Sequence, residues 1–214
     1  MSKKEIINLY RKRAENYDFT ANLYYLLGFR EFAYRKKTIE TLNLKTGDTV
    51  VEIGCGTGLN FSLLQKKIGP KGKIIGVDMT DAMLDQARSK IKKKKWKNVI
   101  LVRGDAAAFK FPKNINAVIS TFALGFIPGY KKVIKNAYGS LKKGSRISVL
   151  DLKMPPKWPK PLLNAVVYLV KPFIGEKIQE YAKVQPWLLI KKHFKKYLFK
   201  EYYMKMIYIA VGEK

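Results

Sequence analysis

The 214-residue chain has one cysteine, one histidine and no long apolar run. Such a composition cannot supply a disulfide framework or a zinc site of cysteine and histidine ligands, and it favours a reducing compartment. The first residues lack the apolar segment of a secretory signal. The longest apolar stretch, 162–170, is far shorter than the ~20 residues that a membrane-spanning helix needs. These absences predict a soluble, intracellular protein without a metal site.

Acidic residues are also scarce, since 16 Asp and Glu stand against 43 Lys and Arg, and the net charge is +27. Only the window 41–60 is not basic. Such a charge favours a polyanionic partner, either nucleic acid or an anionic membrane surface. The alternative is that most of the lysines only solvate the surface. Apolar residues make up 47% of the chain, which is enough for a buried core and excludes a disordered tail.

Hydrophobic patterning in the middle of the chain alternates short apolar runs with longer amphipathic ones, as in a doubly wound parallel α/β sheet. The predicted strands of this region are Thr49–Ile53, Lys73–Val77, Val99–Arg103, Ala117–Thr121 and Arg146–Asp151. The predicted helices between them are Leu59–Ile68, Asp81–Lys92 and Tyr130–Leu141. Two aromatic and β-branched strands near the end of the chain, Leu198–Lys205 and Ile207–Val211, predict an antiparallel pair.

The same patterning predicts one domain with four parts. Residues 1–43 form a helical cap, and residues 44–152 form the ligand-binding core. Residues 153–196 form a helical insertion after the fifth strand, and residues 197–214 hold the terminal β pair. No repeat or low-complexity linker divides these parts.

The charge-poor window contains the motif that carries the chemistry. A hydrophobic strand runs into three glycines at alternate positions within Glu52–Gly58. Glycines there allow positive φ and let a ligand approach the backbone, while the following helix offers its free amides. A dinucleotide-binding loop would need glycine at Leu59, and the lysine of a P-loop is absent. Because Glu52 would repel phosphates, the motif favours a ligand that carries an ammonium group.

Two further carboxylates follow the next predicted strands. Asp78 ends the second strand, and Asp105 follows the third. The carboxyl ends of parallel strands are where open α/β sheets bind ligands, and an acid after the second strand can hold a ribose diol. Asp105 could bind an amino-purine edge. An adenosine that carries an amino acid would satisfy all three acids.

With these residues the chain resembles the class I S-adenosylmethionine-dependent methyltransferases, whose acid-x-Gly-x-Gly-x-Gly motif is matched from Glu52 to Gly58. The resemblance covers roughly residues 40–152. It implies a Rossmann-like, seven-stranded, mostly parallel sheet with an antiparallel last strand. It also implies S-adenosylmethionine as methyl donor and S-adenosylhomocysteine as product. The cofactor-binding residues that it implies are Glu52, Gly54, Cys55, Gly56, Gly58, Asn60, Asp78, Met79, Met83, Gly104, Asp105, Ala106 and Thr121.

A narrower resemblance points to the acceptor. Residues 121–130 resemble the segment after the fourth strand in bacterial phospholipid N-methyltransferases, which belong near the quinone-biosynthesis methyltransferases. Residues 16–18, Asn-Tyr-Asp, resemble a tyrosine-containing motif of that group, which implies that Tyr17 positions the acceptor. The predicted acceptor is therefore the amine of a phosphatidylethanolamine-type lipid. The alternatives are a quinone-type or other small hydrophobic acceptor, or RNA, although the base-amine methyltransferase motif is missing at 121–124.

Aromatic residues at both ends of the chain agree with an amphiphilic lipid substrate. Tyr10, Tyr17 and Tyr24 are spaced by seven residues, so on one helix they would share a face that attracts ammonium ions. Ordinary packing is the alternative. The segment Trp158–Phe173 has an apolar body flanked by lysines and aromatics, as an interfacial segment does, or else it covers the sheet as a core helix. This predicts peripheral binding at the cytoplasmic membrane face.

The sequence offers no dedicated general base. Because a sulfonium methyl group is already activated, the enzyme mainly aligns the acceptor and excludes water. A desolvating pocket would lower the pKa of an amine acceptor. His193 lies in a lysine-rich segment remote from the motif, and Cys55 inside the glycine turn is predicted to be a packing residue.

Overall fold

The computed structural model describes residues 2–19, 28–154, 158–159, 161, 168 and 184–214. Their helices are α1 (Lys3–Arg13), α2 (Glu31–Glu40), α3 (Phe61–Ile68), α4 (Asp81–Lys94), α5 (Tyr130–Ser140) and α6 (Pro186–His193). Their strands are β1 (Thr49–Ile53), β2 (Lys73–Asp78), β3 (Val99–Arg103), β4 (Ile115–Thr121), β5 (Leu141–Leu152), β6 (Lys196–Tyr202) and β7 (Ile207–Glu213). Short 3-10 turns span Ala14–Asn16 and Leu124–Phe126.

The seven described strands form one sheet in the order β3-β2-β1-β4-β5-β7-β6. β1 pairs in parallel with β2 and β4, so that Val51 lies between Ile75 and Val118. β7 runs antiparallel to both β5 and β6, and it is the one reversed strand among those described. The predicted fold class, a mostly parallel sheet whose last strand is antiparallel, is confirmed.

Both faces of the sheet are buried, which explains why the central strands are apolar without alternation. Val51 and Ile53 of β1 belong to the core cluster that contains the inward residues of α5 and α6. Val50 belongs to the opposite cluster, with residues of α2, α3 and α4. Each fully buried Ile, Leu or Phe side chain contributes about 1.5–3 kcal/mol to stability. The carboxyl edge of this rigid sheet carries the functional loops.

Several predicted element boundaries were wrong, and turn chemistry explains each difference. β5 begins at Leu141 rather than at Arg146, because the left-handed Gly144 donates its N–H to the carbonyl of Lys214 and keeps this stretch on the sheet. α3 begins at Phe61, since Leu59 remains in the glycine turn. β6 ends at Tyr202 because the next three residues have positive φ.

Tyr10 and Tyr17 do not lie on the single helix on which their spacing would give them a common face. α1 begins with a capping box between Ser2 and Glu5 and gives way to a 3-10 turn after Arg13. The rings of Tyr10 and Tyr17 nevertheless lie 6.2 Å apart. Tyr24 lies outside the described residues.

The predicted insertion can be compared with the structure only in part. Most of the segment predicted to be interfacial, Trp158–Phe173, lies outside the described residues. Near the end of the insertion, α6 is a helix, as predicted. None of the helices described is both long and apolar enough to cross a membrane.

Candidate active site

A cleft opens at the carboxyl edge of the sheet, where β1, β2, β3 and β4 end. Its cavity volume is about 80 Å³, and the empty space that continues from it to the open mouth brings the total to about 760 Å³. α1 and the residues after it form the upper wall. The cleft as a whole is lined by Ile6, Tyr10, Tyr17, Arg35, Gly54, Cys55, Gly56, Thr57, Leu59, Val77, Asp78, Met79, Thr80, Met83, Gly104, Ala106, Thr121, Phe122, Ala123, Phe126 and Ile127.

The glycine turn after β1 forms the floor of the cleft. Gly54 has φ +67° and Gly58 has φ +75°, in the left-handed region that favours glycine. The amides of Gly54 and Cys55 both donate to the carbonyl of Val77, which ties the turn to β2. A Cβ at Gly54 would lie 2.2 Å from the Cβ of Ala123. The turn can therefore approach both the β4 loop and a ligand only because this residue is glycine.

Asp78 holds the glycine turn and the start of α4 together. Its carboxylate accepts the N–H of Gly56 at 2.9 Å and the N–H of Thr80 at 2.9 Å. Burial raises the pKa of Asp78, and these backbone hydrogen bonds oppose that effect. Asp78 lines the cleft, at the position where the sequence predicted a ribose-binding acid.

Glu52 lies behind the cleft wall in a buried polar network. One of its oxygens accepts from Asn60 Nδ2 at 2.7 Å, and Asn60 Nδ2 also donates to Thr121 Oγ1 at 2.9 Å. The other oxygen, Oε2, is buried and has no hydrogen-bond partner among the described residues. Burial raises the pKa of Glu52 to about 7, although the Asn60 hydrogen bond and the charge of Arg35 act to lower it.

Arg35 completes this network from α2, and the sequence reasoning missed it. Its guanidinium donates to Thr121 Oγ1 at 2.5 Å, to Asn60 Oδ1 at 3.2 Å and through two nitrogens to Glu31 Oε1. It lies 5.4 Å from the ring centre of Phe122. Arg35 is buried yet lines the cleft, so it presents a positive charge beside the buried carboxylate of the motif.

Tyr17 lies in the upper wall of the cleft, as the prediction of an acceptor-positioning role requires. Burial raises its pKa to about 12, so the phenol stays protonated and can donate a hydrogen bond but cannot serve as a base. The next residue, Asp18, accepts from Thr57 Oγ1 at 2.5 Å and from Lys90 Nζ at 2.9 Å. Asp18 thereby anchors the tyrosine segment to the glycine turn and to α4.

Three other residues considered from the sequence lie apart from the cleft wall or are unreactive. Asp105 pairs with Lys3 at 2.7 Å, and its neighbours Gly104 and Ala106 line the cleft instead. His193 is exposed at the end of α6. Burial raises the pKa of the Cys55 thiol well above its usual value, which agrees with a packing role.

Most of the predicted cofactor residues meet at one place. Gly54, Cys55, Gly56, Asp78, Met79, Met83, Gly104, Ala106 and Thr121 line the cleft, while Glu52, Gly58 and Asn60 lie directly behind its wall. The sequence reasoning missed Arg35, Thr57 and Asp18. Thr57 and Asp18 stood inside motifs already singled out, whereas nothing in the basic helix α2 distinguished Arg35 from its neighbours.

The arrangement fits S-adenosylmethionine on structural grounds. The unpartnered Oε2 of Glu52, just behind the cleft wall, would accept from an α-ammonium group, and Arg35, which also pairs with Glu31, would meet the α-carboxylate. Asp78 lines the cleft and would be available to the ribose hydroxyls. Among the described residues no cluster of His, Cys, Asp or Glu is arranged to hold a metal ion.

The fold and this cleft together define the class of S-adenosylmethionine-dependent methyltransferases. The crystal structure of such an enzyme from Aquifex aeolicus superposes with a TM-score of 0.59 at 20% identity, covering 83% of this chain and 88% of that one. The phosphoethanolamine N-methyltransferase 2 of Haemonchus contortus, solved with S-adenosylhomocysteine, gives a TM-score of 0.60 at 21% identity over 78% of this chain and 38% of that one.

The family follows from the sequence comparison. The model of the ubiE/COQ5 methyltransferase family matches residues 1–210, and the chain belongs to that family. A demethylmenaquinone methyltransferase of Listeria welshimeri is 32% identical over 158 residues, which are 72% of this chain and 66% of the relative, just under two thirds. The predicted methyltransferase class and cofactor are thereby confirmed at the level of the family.

We expect cofactor affinity to fall as the pH is lowered through 7. Glu52 must be ionised to hold an ammonium group, so binding shifts its pKa below the value of about 7 in the free protein. Calorimetric titration with S-adenosylhomocysteine should show roughly tenfold weaker binding at pH 6 than at pH 8, and the raised pKa of Asp78 acts in the same direction. Glu52→Gln should bind weakly and with a flatter pH profile.

The same titration has the opposite sign for stability. Because the pKa of Glu52 is raised on folding, ionisation favours the unfolded chain, and stability falls between about pH 4.5 and 7. Glu52→Gln should therefore raise the free energy of unfolding of the cofactor-free protein at pH 8. Glu40→Gln, at an exposed site on α2, is the matched control and should change neither property. A pH-independent affinity in the unaltered protein would contradict the assignment of Glu52.

Proposed function

We propose that this chain transfers a methyl group from S-adenosylmethionine to the ring of a quinone-type acceptor in its reduced form. The observation that carries the proposal is the match to relatives named demethylmenaquinone methyltransferase, at 32% identity over 72% of the chain. A methyl donor of this kind needs a nucleophile. A quinone ring is electron-poor, whereas the corresponding hydroquinone is electron-rich, so the hydroquinone is the reactive form.

The apolar and aromatic lining of the upper wall favours the binding of a flat, apolar acceptor. Ile6, Tyr10, Tyr17 and Phe126 line it, and the ring of Tyr10 lies 6.2 Å from Tyr17 and 6.4 Å from Phe126. Aromatic side chains favour offset or edge-to-face contact with another ring. Neither Tyr10 nor Tyr17 can act as a base, since burial raises both of their pKa values.

In the mechanism we propose, the chain binds the cofactor and the acceptor, orients the acceptor and excludes water. The cofactor, when bound, supplies an activated methyl group. Glu52 and Arg35 would hold the two charged ends of its amino-acid part, and the carboxylate of Asp78 would hold its ribose. The Tyr17 phenol donates a hydrogen bond to a ring oxygen of the acceptor and turns its nucleophilic carbon toward the methyl group. A bound S-adenosylmethionine would supply the methyl group and leave as S-adenosylhomocysteine, and the displaced ring proton would pass to bulk solvent when the product leaves the cleft.

Phosphatidylethanolamine, the acceptor predicted first from the sequence, has weaker support. The solved structure that bears on it, the Haemonchus enzyme, is 21% identical to this chain and shows only a shared fold. Aromatic walls also attract ammonium groups, so the cleft alone does not separate the two acceptors. The net charge of +27 would also suit RNA as the acceptor. Phosphatidylethanolamine and RNA are therefore both tested as acceptors in the experiment below.

The proposal is tested by incubating the protein with methyl-labelled cofactor and one acceptor at a time. The acceptors are a reduced demethylmenaquinone in detergent, phosphatidylethanolamine vesicles and total RNA. We expect label in the quinone product alone. Tyr17→Phe should reduce its formation by about tenfold to a hundredfold, because one oriented hydrogen bond is lost, while affinity for S-adenosylhomocysteine stays within twofold.

The matched control is Tyr197→Phe, which alters a half-buried side chain near the start of the edge strand β6, at the opposite end of the sheet from the cleft, and should leave transfer unchanged. Label in the phospholipid would restore the first sequence-based prediction, and label in RNA would assign the basic charge to nucleic acid. A Tyr17→Phe protein with full activity would contradict the positioning role of this residue.

A further inference from the structure

We propose that an exposed surface at the rim of the cleft docks on an anionic lipid bilayer and brings the mouth of the cleft to a membrane-dissolved acceptor. The rim surface consists of Arg30, Phe32, Met204 and Lys205. The inference rests on the proposed function for its purpose, because a quinone-type acceptor with an apolar tail partitions into the bilayer. Its physical basis is the exposure, the placement and the charge of these four side chains.

Met204 lies at the tip of the β6–β7 hairpin. Leu152 at the end of β5 pairs with Ile207 at the start of β7, so the hairpin lies at the carboxyl edge of the sheet, where the cleft opens. Tyr203, Met204 and Lys205 have φ values of 46°, 55° and 65°. Residues other than glycine adopt this conformation at an energetic cost. The strained turn holds the Met204 side chain 65% exposed.

Phe32 supplies the second apolar group, and its side chain is 63% exposed. It lies on α2, one helical turn before the cleft residue Arg35. Phe29, just before this helix, has its ring centre 5.6 Å from Tyr203 and 5.9 Å from Phe122. Because Phe122 lines the cleft, a continuous set of aromatic rings joins the strained hairpin to the cleft wall.

The positive charge of the rim surface favours an anionic bilayer as its binding partner. Arg30 and Lys205 are exposed beside the two apolar residues, and the acids nearest to them in the sequence are paired. Glu31 pairs with Arg35, and Glu201 pairs with Lys153. Cations around a small apolar tip suit the interface of an anionic bilayer. A stable protein interface needs a larger continuous apolar area than two separate side chains provide.

The experiment compares flotation of the full chain with phosphatidylcholine vesicles and with vesicles that also contain phosphatidylglycerol. We expect binding to the anionic vesicles that is weakened by salt. The double variant Phe32→Ser/Met204→Ser should weaken this binding by at least about tenfold, because two apolar groups no longer enter the interface. The matched control, Ile100→Ser/Leu188→Ser, alters side chains that are 48% and 51% exposed elsewhere on the molecule, and it should bind as before.

Two further readouts separate this proposal from the proposed function. The rim variant should keep its affinity for S-adenosylhomocysteine and its activity on a short-tailed, water-soluble hydroquinone, and it should lose activity only on an acceptor embedded in vesicles. Anionic vesicle binding without quinone methylation would leave the docking surface standing and refute the acceptor. Absence of vesicle binding, equal losses in the rim and control variants, or binding to RNA alone would overturn the docking proposal.

Discussion

Asp78→Ala is expected to lose cofactor binding almost completely. The carboxylate of Asp78 accepts the N–H groups of Gly56 and Thr80 at 2.9 Å each, and Asp78 lines the cleft at the position proposed for the ribose. The variant leaves these amides unpaired and removes the ribose contact. Lost charge-assisted hydrogen bonds of this number correspond to about 3 kcal/mol or more, or at least a hundredfold in Kd. Calorimetric titration with S-adenosylhomocysteine measures the change.

The control for this variant is Asp85→Ala. Asp85 is also on the α4 side of the cleft region, but it is exposed and pairs with Arg88 along the helix. Its removal should change affinity by less than twofold, since exposed ion pairs contribute little. Circular dichroism should show that both variants are folded. An Asp78→Ala protein that binds the cofactor as the unaltered protein does would refute the assignment of this residue.

Gly54→Ala is expected to destabilise the fold as well as the site. A Cβ at this position would lie 2.2 Å from the Cβ of Ala123, and φ is +67°. The left-handed backbone costs about 1–2 kcal/mol and the overlap another 1–3 kcal/mol, so the melting temperature should fall by roughly 5–15 °C. Because the turn must move away from β4, cofactor affinity should fall with it. Thermal unfolding and titration measure the two effects.

Gly139→Ala is the matched substitution. Gly139 lies in α5, its φ is not positive and no atom lies within 4 Å of an added Cβ. Alanine there should raise the free energy of unfolding by about 0.5–1 kcal/mol through its higher helix propensity. Cofactor affinity should not change. Equal melting temperatures for the two variants would contradict the argument from close approach at Gly54.

The core strands and the position of the cleft were predictable because both depend on local signals. Glu52–Gly58 combines a hydrophobic strand, three glycines and a helix start, and the acid Asp78 follows at the end of the next strand. Parallel strands place their carboxyl ends together, so residues distant in sequence meet without further information. This rule explains why the predicted cofactor residues lie together in the structure.

The missed features depend on tertiary contacts that no local pattern reveals. Arg35 is one of several basic residues on α2, and only packing against Asn60 and Thr121 makes it a cleft residue. Asp105 was predicted to bind adenine, but in the structure it pairs with Lys3 from the amino-terminal helix α1. Its role in binding adenine stays a prediction, because a bound cofactor could compete with that lysine.

A crystal structure of this chain with S-adenosylhomocysteine would show whether the cleft is the cofactor site. We expect the ligand in the cleft, with its α-carboxylate at the guanidinium of Arg35 and its α-amino group on the side of Glu52. Its ribose hydroxyls should lie within hydrogen-bonding distance of Asp78. A ligand bound outside the cleft, or one whose amino-acid end points away from Arg35 and Glu52, would contradict the account.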